Sequence, residues 1–153
     1  MPLIDDIETS LKSAMRARDE LRTSTLRLVL SSLRAAEKEK RAALSEAEEI
    51  RVLQRERKRR VEAEDAYGEA GRLEQADREH AELAVIDEFM PSQLSDDELA
   101  GLVDDAIEST GATSAAEVGR VMGAVMPRVA GQAEGNRVRE VVTARLGSSA
   151  GSG

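Results

Sequence analysis

The sequence predicts an all-α protein, with long helical hairpins at the N-terminal end followed by a small C-terminal three-helix bundle. Ala, Glu, Arg and Leu dominate, and 34% of the residues are charged. No proline interrupts the chain between Pro2 and Pro91. Apolar residues recur at the three- and four-residue steps of a helix, and no strand pattern competes. With one tyrosine (Tyr67), one phenylalanine (Phe89) and no tryptophan, the core must be filled by Leu, Val, Ile, Met and Ala.

Ile4, Ile7, Leu11 and Met15 mark a first amphipathic helix ending near Arg18. A second begins around Asp19, buries Leu26, Val29, Leu30, Leu33 and Ala36, and fades into the charged run Glu37 to Arg41. Ser45 with Glu48 is the capping-box signature, in which each side chain satisfies the other's backbone donor, and it opens a third helix through Ile50, Leu53 and Val61. Gly68 and Gly71 bracket its end. Leu73, Ala76, Leu83, Ala84 and Ile86 carry a fourth helix to Phe89. Met90 precedes Pro91, which disfavours helix before it, and the domain boundary is placed there, separating residues 1–90 from 91–146. Ser95 with Glu98 opens a fifth helix that Gly111 stops, and Ser114 with Glu117 opens a sixth. Pro127, Gly131 and Gly135 punctuate the next turn, and Val138, Val141, Val142 and Leu146 make a seventh helix. Residues 147–153 read as a disordered tail by composition. The N-terminal helices are joined by short links, so they are expected to pair as hairpins.

Composition excludes several classes of function. Without cysteine there is no disulfide and no thiolate metal site. No apolar run reaches the length of a membrane span, and the opening MPLIDDIETS lacks the basic-then-apolar order of a secretion signal, so a cytoplasmic protein with no membrane partner is expected. The net charge of −8 opposes indiscriminate coating of nucleic acid, and no DNA partner is expected. The charge is uneven. Residues 91–110 hold six acids and no base, whereas residues 111–146 hold five arginines and three acids.

Four clusters invite a chemical reading. Arg51, Arg55, Arg57, Lys58, Arg59 and Arg60 crowd into ten residues, with Arg51, Arg55, Lys58 and Arg59 forming a secondary basic patch able to hold phosphates. Acids at helical ion-pair spacing interrupt the run, which favours a salt-bridged solvated face instead. The acids Asp96, Asp97, Glu98, Asp104, Asp105 and Glu108 suit a helix start and an exposed face better than a metal site, which needs carboxylates converging from several directions. His80 is the only histidine and has no nucleophile pattern to serve. No Walker loop or dinucleotide fingerprint is present, so neither a catalytic residue, a metal nor a cofactor is expected.

The segment Val118 to Arg139 is the most informative. Val118, Met122, Val125 and Val129 share one helix face and read as core, and Gly119 and Gly123 on that helix read as permitting close helix approach. Gly131 to Asn136 forms a polar, glycine-rich turn feeding a helix N-terminus, where unpaired N–H groups attract anions. Arg128, Arg137 and Arg139 lie around it, with Arg120 one helix back and Glu134 opposing. The candidate RNA- or anion-binding residues are therefore Arg120, Arg128, Gly131, Gly135, Asn136, Arg137 and Arg139, beside the plainer reading of a helix cap with solvated arginines.

The run VGRVMGAVMPRVAGQAEGNRV, preceded by FMPSQLSDDEL and the long charged hairpins, resembles the GatB/YqeY family, specifically the free-standing YqeY-like proteins. The resemblance spans roughly Leu3 to Leu146. Gly119, Arg120, Met122, Gly123, Met126, Pro127, Arg128, Gly131, Gly135 and Val138 match the family pattern, while family members often carry basic residues where this chain has Ala130 and Gln132. The resemblance implies a C-terminal three-helix domain similar to the tail of the B subunit of glutamine-dependent aminoacyl-tRNA amidotransferases, a tRNA-contacting module. It implies carbon–nitrogen ligase activity, with glutamine as amide donor, only within a complex whose glutaminase and kinase domains this chain lacks. Three readings stand. The chain binds tRNA, or an amidotransferase or aminoacyl-tRNA synthetase complex, through its C-terminal domain; or it is a protein–protein adaptor without RNA contact; or it is a component of the ligase activity.

Overall fold

The computed structural model describes residues 2–150, with side chains described up to residue 147. Among these residues are seven α-helices, one 3₁₀ turn and no strand, so the fold is all-α. The chain divides into two compact units, Met1–Met90 and Pro91–Gly153.

The first unit holds α1 (Leu3–Arg16), α2 (Glu20–Lys40), α3 (Glu46–Glu69) and α4 (Leu73–Asp87). Asp19 caps α2 by accepting the Arg22 N–H at 3.1 Å, and the left-handed Arg41 (φ 62°) ends it. Helix α3 is packed mainly on α4, and α1 mainly on α2. The core is Ile7, Leu26, Leu33, Leu53 and Ile86, all fully buried, each contributing about 1.5–3 kcal/mol by leaving water.

Three expected core positions are corrected. Met15 and Leu73 are exposed, Leu73 at 67%, and Ala84 faces solvent. In α1 the buried step falls on Ala14 rather than Met15, and in α4 it falls on Glu82, Leu83, Val85 and Ile86. The expected Ser45–Glu48 box is half made. Ser45 Oγ accepts the Glu48 N–H at 3.2 Å, but the Glu48 carboxylate accepts from Lys40 Nζ at 2.8 Å.

The second unit holds α5 (Asp96–Thr110), a 3₁₀ turn (Ala115–Glu117), α6 (Val118–Val129) and α7 (Gly135–Ala150), with the three helices in mutual contact. Its fully buried residues are aliphatic: Leu99, Val103 and Ala106 from α5, Val121, Val125 and Val129 from α6, Val138, Val142 and Leu146 from α7. The Ser95–Glu98 box is complete, at 3.1 Å in both directions. Gly111 ends α5 at φ 69°, a backbone state open to glycine at little cost.

Two differences from the sequence expectation concern α6 and α7. Pro127 lies inside α6, in its last turn, instead of in the following turn. So close to the C-terminal end it removes one backbone hydrogen bond without breaking a long helix. Helix α7 continues through Gly147 to Ala150, into the stretch expected as a disordered tail, and residues 151–153 of that stretch lie outside the described residues.

Candidate functional site

The glycine-rich turn between α6 and α7 is built from two left-handed residues in succession, Ala130 (φ 47°) and Gly131 (φ 82°). Ala130 closes α6 by donating its N–H to the Met126 carbonyl at 3.3 Å. The Gln132 N–H donates to Val129 O at 2.9 Å, and Gln132 O accepts the Leu94 N–H at 2.8 Å, which ties the turn to the segment preceding α5. Gly135 and Asn136 are not turn residues but the first turn of α7, and the Val138 N–H bonds to Glu134 O at 3.0 Å.

The arginines around this turn separate into two kinds. Arg137 pairs with Asp96 at 2.8 Å, and Arg120 is held by Glu117 at 3.3 Å and by a hydrogen bond to the Thr110 carbonyl. Both act as clamps, Arg120 on the end of α5 and Arg137 on its start. Arg128 and Arg139, by contrast, are exposed and have no ion-pair partner among the described residues. Glu117 completes the clamp. Its carboxylate accepts the N–H groups of Thr113 (2.6 Å) and Ser114 (3.2 Å), and these donors, with Arg120, hold it below the usual glutamate range.

The outward face of α6 is bare. Gly119, Gly123 and Pro127 are exposed at one-turn intervals, and a Cβ built at either glycine would meet nothing within 4 Å. The expectation that these glycines permit close helix approach is therefore corrected: among the described residues, no atom comes within 4 Å of a Cβ built at either.

A model of the family described as Yqey-like protein matches residues 4–146. The chain belongs to the YqeY-like family. This YqeY-like chain is also similar to an uncharacterized protein of Schizosaccharomyces pombe, with 28% identity over 89 residues, which is 58% of the chain and 72% of the yeast protein.

In the first unit of this YqeY-like chain, the basic run of α3 also divides. Arg57 pairs with Asp87 at 2.6 Å, Lys58 with Glu62 at 3.9 Å, Arg59 with Glu56 at 3.5 Å and Arg60 with Glu56 at 2.8 Å. Arg51 and Arg55 pair with none of the described carboxylates within 4 Å. His80 pairs with Glu64 at 3.0 Å on the surface. Among the described residues no three His, Cys, Asp or Glu side chains converge as a metal site would require, and no helix is long and apolar enough to cross a membrane.

Sequence reasoning missed four buried charges: Glu49, Glu56, Arg60 and Glu82. Arg60, 7% exposed, lies between Glu56 and Glu82, 3.7 Å from the latter, while Ser32 Oγ donates to Glu56 at 2.7 Å. Beside them burial, reinforced by the charge of Glu82, pushes the Glu79 carboxyl up. The overlooked signal is spacing: positions 49, 52, 53, 56 and 60 form one helical stripe, and three of the five are charged.

Proposed function

We propose that this YqeY-like protein is an accessory factor that binds tRNA through its C-terminal unit. The observation that carries the reading is the pair Arg128 and Arg139. In a unit that spends Arg120 and Arg137 on its own carbonyl and carboxylate groups, these two stay exposed and unpaired among the described residues, on either side of the Ala130–Glu134 turn. Exposed guanidinium groups are suited to phosphate oxygens. The resemblance of this unit to the tail of an amidotransferase B subunit supports the same partner class. In this reading the chain performs no chemical step; carbon–nitrogen ligase chemistry belongs to an enzyme complex it serves.

The test is titration of purified tRNA at two salt concentrations with the full chain and with the Arg128→Ala/Arg139→Ala double variant. Binding should weaken with salt, and loss of two phosphate contacts should flatten the log–log slope by roughly 1.4–1.8. No uptake at low salt, or an unchanged slope in the variant, refutes the reading.

A second reading, a protein–protein adaptor such as a partner of an amidotransferase or synthetase complex, is favoured by the bare face of α6. An exposed mid-helix glycine costs helix stability, and among the described residues nothing packs within 4 Å of a Cβ at Gly123. Pull-down from lysate with and without ribonuclease separates the two: a partner set that survives ribonuclease and is lost in Gly123→Gln supports the adaptor.

A further inference from the structure

The two unpaired arginines of α3 open into the same place. A groove of about 310 Å³ runs between α2 and α3, lined by Ala36, Glu39, Lys40, Leu44, Val52, Arg51 and Arg55 among others. It continues into a second depression of about 190 Å³ that shares Ala36, Glu39, Val52 and Arg55 and adds Arg59. Arg51, Arg55 and Arg59 follow one another at four-residue steps, so they form a single ridge along one wall with about 6 Å of rise between successive members. Ala36, Leu44 and Val52 make the floor apolar.

Charge in the groove is positive once its internal pairs are removed. Glu48 is taken by Lys40 at 2.8 Å, and Arg51 reaches it only through space, the two cations together lowering its pKa. Glu56 is taken by Arg60, Ser32 and Arg59 at 2.8, 2.7 and 3.5 Å. That leaves Arg51 and Arg55 against the single carboxylate of Glu39. The remaining basic residues of the cluster are committed elsewhere, Arg57 to Asp87 and Lys58 to Glu62. Folding has thus consumed most of the basic run and left two neighbouring guanidinium groups over a half-apolar trough.

We propose that this groove binds a single-stranded nucleic-acid segment, with successive phosphates on Arg51 and Arg55 and nucleoside faces against the Ala36, Leu44 and Val52 floor. Guanidinium groups one helical turn, about 6 Å, apart match charges repeated along a flexible strand. The aliphatic floor of Ala36, Leu44 and Val52 gives the nucleoside faces an apolar surface to pack on. The proposal concerns the N-terminal unit and does not rest on tRNA binding by the C-terminal one.

The experiment is fluorescence anisotropy of a labelled eight-nucleotide oligouridylate with the full chain at low and moderate salt. Wild type should bind with a log–log salt slope of about −1.4, the value for two phosphate contacts on a single strand. Arg51→Ala/Arg55→Ala should lose at least tenfold in affinity, and the same loss should appear when the pair is replaced in an Arg128→Ala/Arg139→Ala background, where the C-terminal arginines contribute nothing. Glu39→Gln removes the opposing carboxylate and should tighten binding several-fold, a gain that misfolding cannot produce. Absence of oligouridylate binding overturns the proposal, as does wild-type affinity in the Arg51/Arg55 variant. Preferential capture of an oligoglutamate peptide, or equal competition by inorganic polyphosphate of the same charge, overturns the nucleic-acid assignment.

Discussion

The backbone N–H of Ile4, in the first turn of α1, donates to the Glu49 carboxylate of α3 across 2.9 Å in a buried contact. Helix α1 has no side-chain cap of its own, since Pro2 precedes it and offers no oxygen side chain. A helix start leaves N–H groups without intrahelical acceptors, and Glu49 satisfies one of them from 45 residues away in sequence. It also places a negative charge at the positive end of the α1 dipole. Glu49→Ala should therefore destabilise the N-terminal unit by about 2 kcal/mol or more, because a buried donor loses a charged partner. Glu49→Gln keeps an acceptor and should cost about half as much. Urea unfolding measures both. Amide exchange at Ile4 should quicken in the alanine variant more than exchange in α4, and a uniform change would contradict a local capping role.

Much of the fold was legible because its signals are local. Asp19, Ser95 and Gly111 cap helices where the residue types say they should, and Val125, Val129, Val138, Val142 and Leu146 are buried as their spacing predicts, whereas in α6 the first fully buried residue is Val121, with Val118 and Met122 half-buried. What stayed hidden depends on long-range partners. Glu49, Glu56 and Arg60 continue the stripe of Val52 and Leu53, and a reading that treats charge as a mark of solvent cannot see a buried face made of ion pairs. The same holds for the candidate sites. Sequence counts the arginines near the Gly131 turn, but only geometry shows that Asp96 and Thr110 occupy two of them and leave Arg128 and Arg139.

Arg60 is the centre of the buried network, and its removal should be severe. Arg60→Ala leaves the carboxylates of Glu56 and Glu82 buried without their shared cation, a change that costs on the order of 3–5 kcal/mol when a buried pair loses one partner. The double variant Arg60→Met/Glu56→Gln removes charge of both signs and should recover most of that loss. Urea midpoints of the two variants test the difference. Equal destabilisation would contradict charge compensation as the governing term at the site.

Ala substitution at Gly123 should stabilise the C-terminal unit. The residue is exposed in the middle of α6, and an added Cβ meets nothing within 4 Å. Relative to glycine, alanine lowers the entropy lost on folding, worth about 0.5–1 kcal/mol. Ala130→Gly should act in the same direction, because Ala130 sits at φ 47°, where a side chain strains the backbone. Thermal unfolding should show a raised midpoint for each. A lowered midpoint in Gly123→Ala would reveal a close contact on that face.

The pH response follows from four glutamates with shifts of opposite sign, and in the N-terminal unit the hydrogen bond from Lys40 holds Glu48 low. Backbone N–H donors, at Ser95 for Glu98 and at Thr113 and Ser114 for Glu117, hold both carboxyls below the ordinary glutamate value of 4.5. Folding therefore favours their ionised forms. Their stabilisation is fully present above 4.5 and is lost as the pH falls through the lowered folded values. Glu79 behaves inversely: burial and Glu82 raise it above 4.5, so its contribution is complete below that value and lost as the pH rises through the raised one. Glu98→Gln and Glu117→Gln should flatten the acid limb of the C-terminal unit's stability. Glu79→Gln should instead remove a loss of stability in the N-terminal unit on the alkaline side of 4.5. Amide exchange across both units between pH 3 and 7 resolves the two signs, and an acid limb left unchanged in both capping variants would exclude the capping carboxylates as its origin.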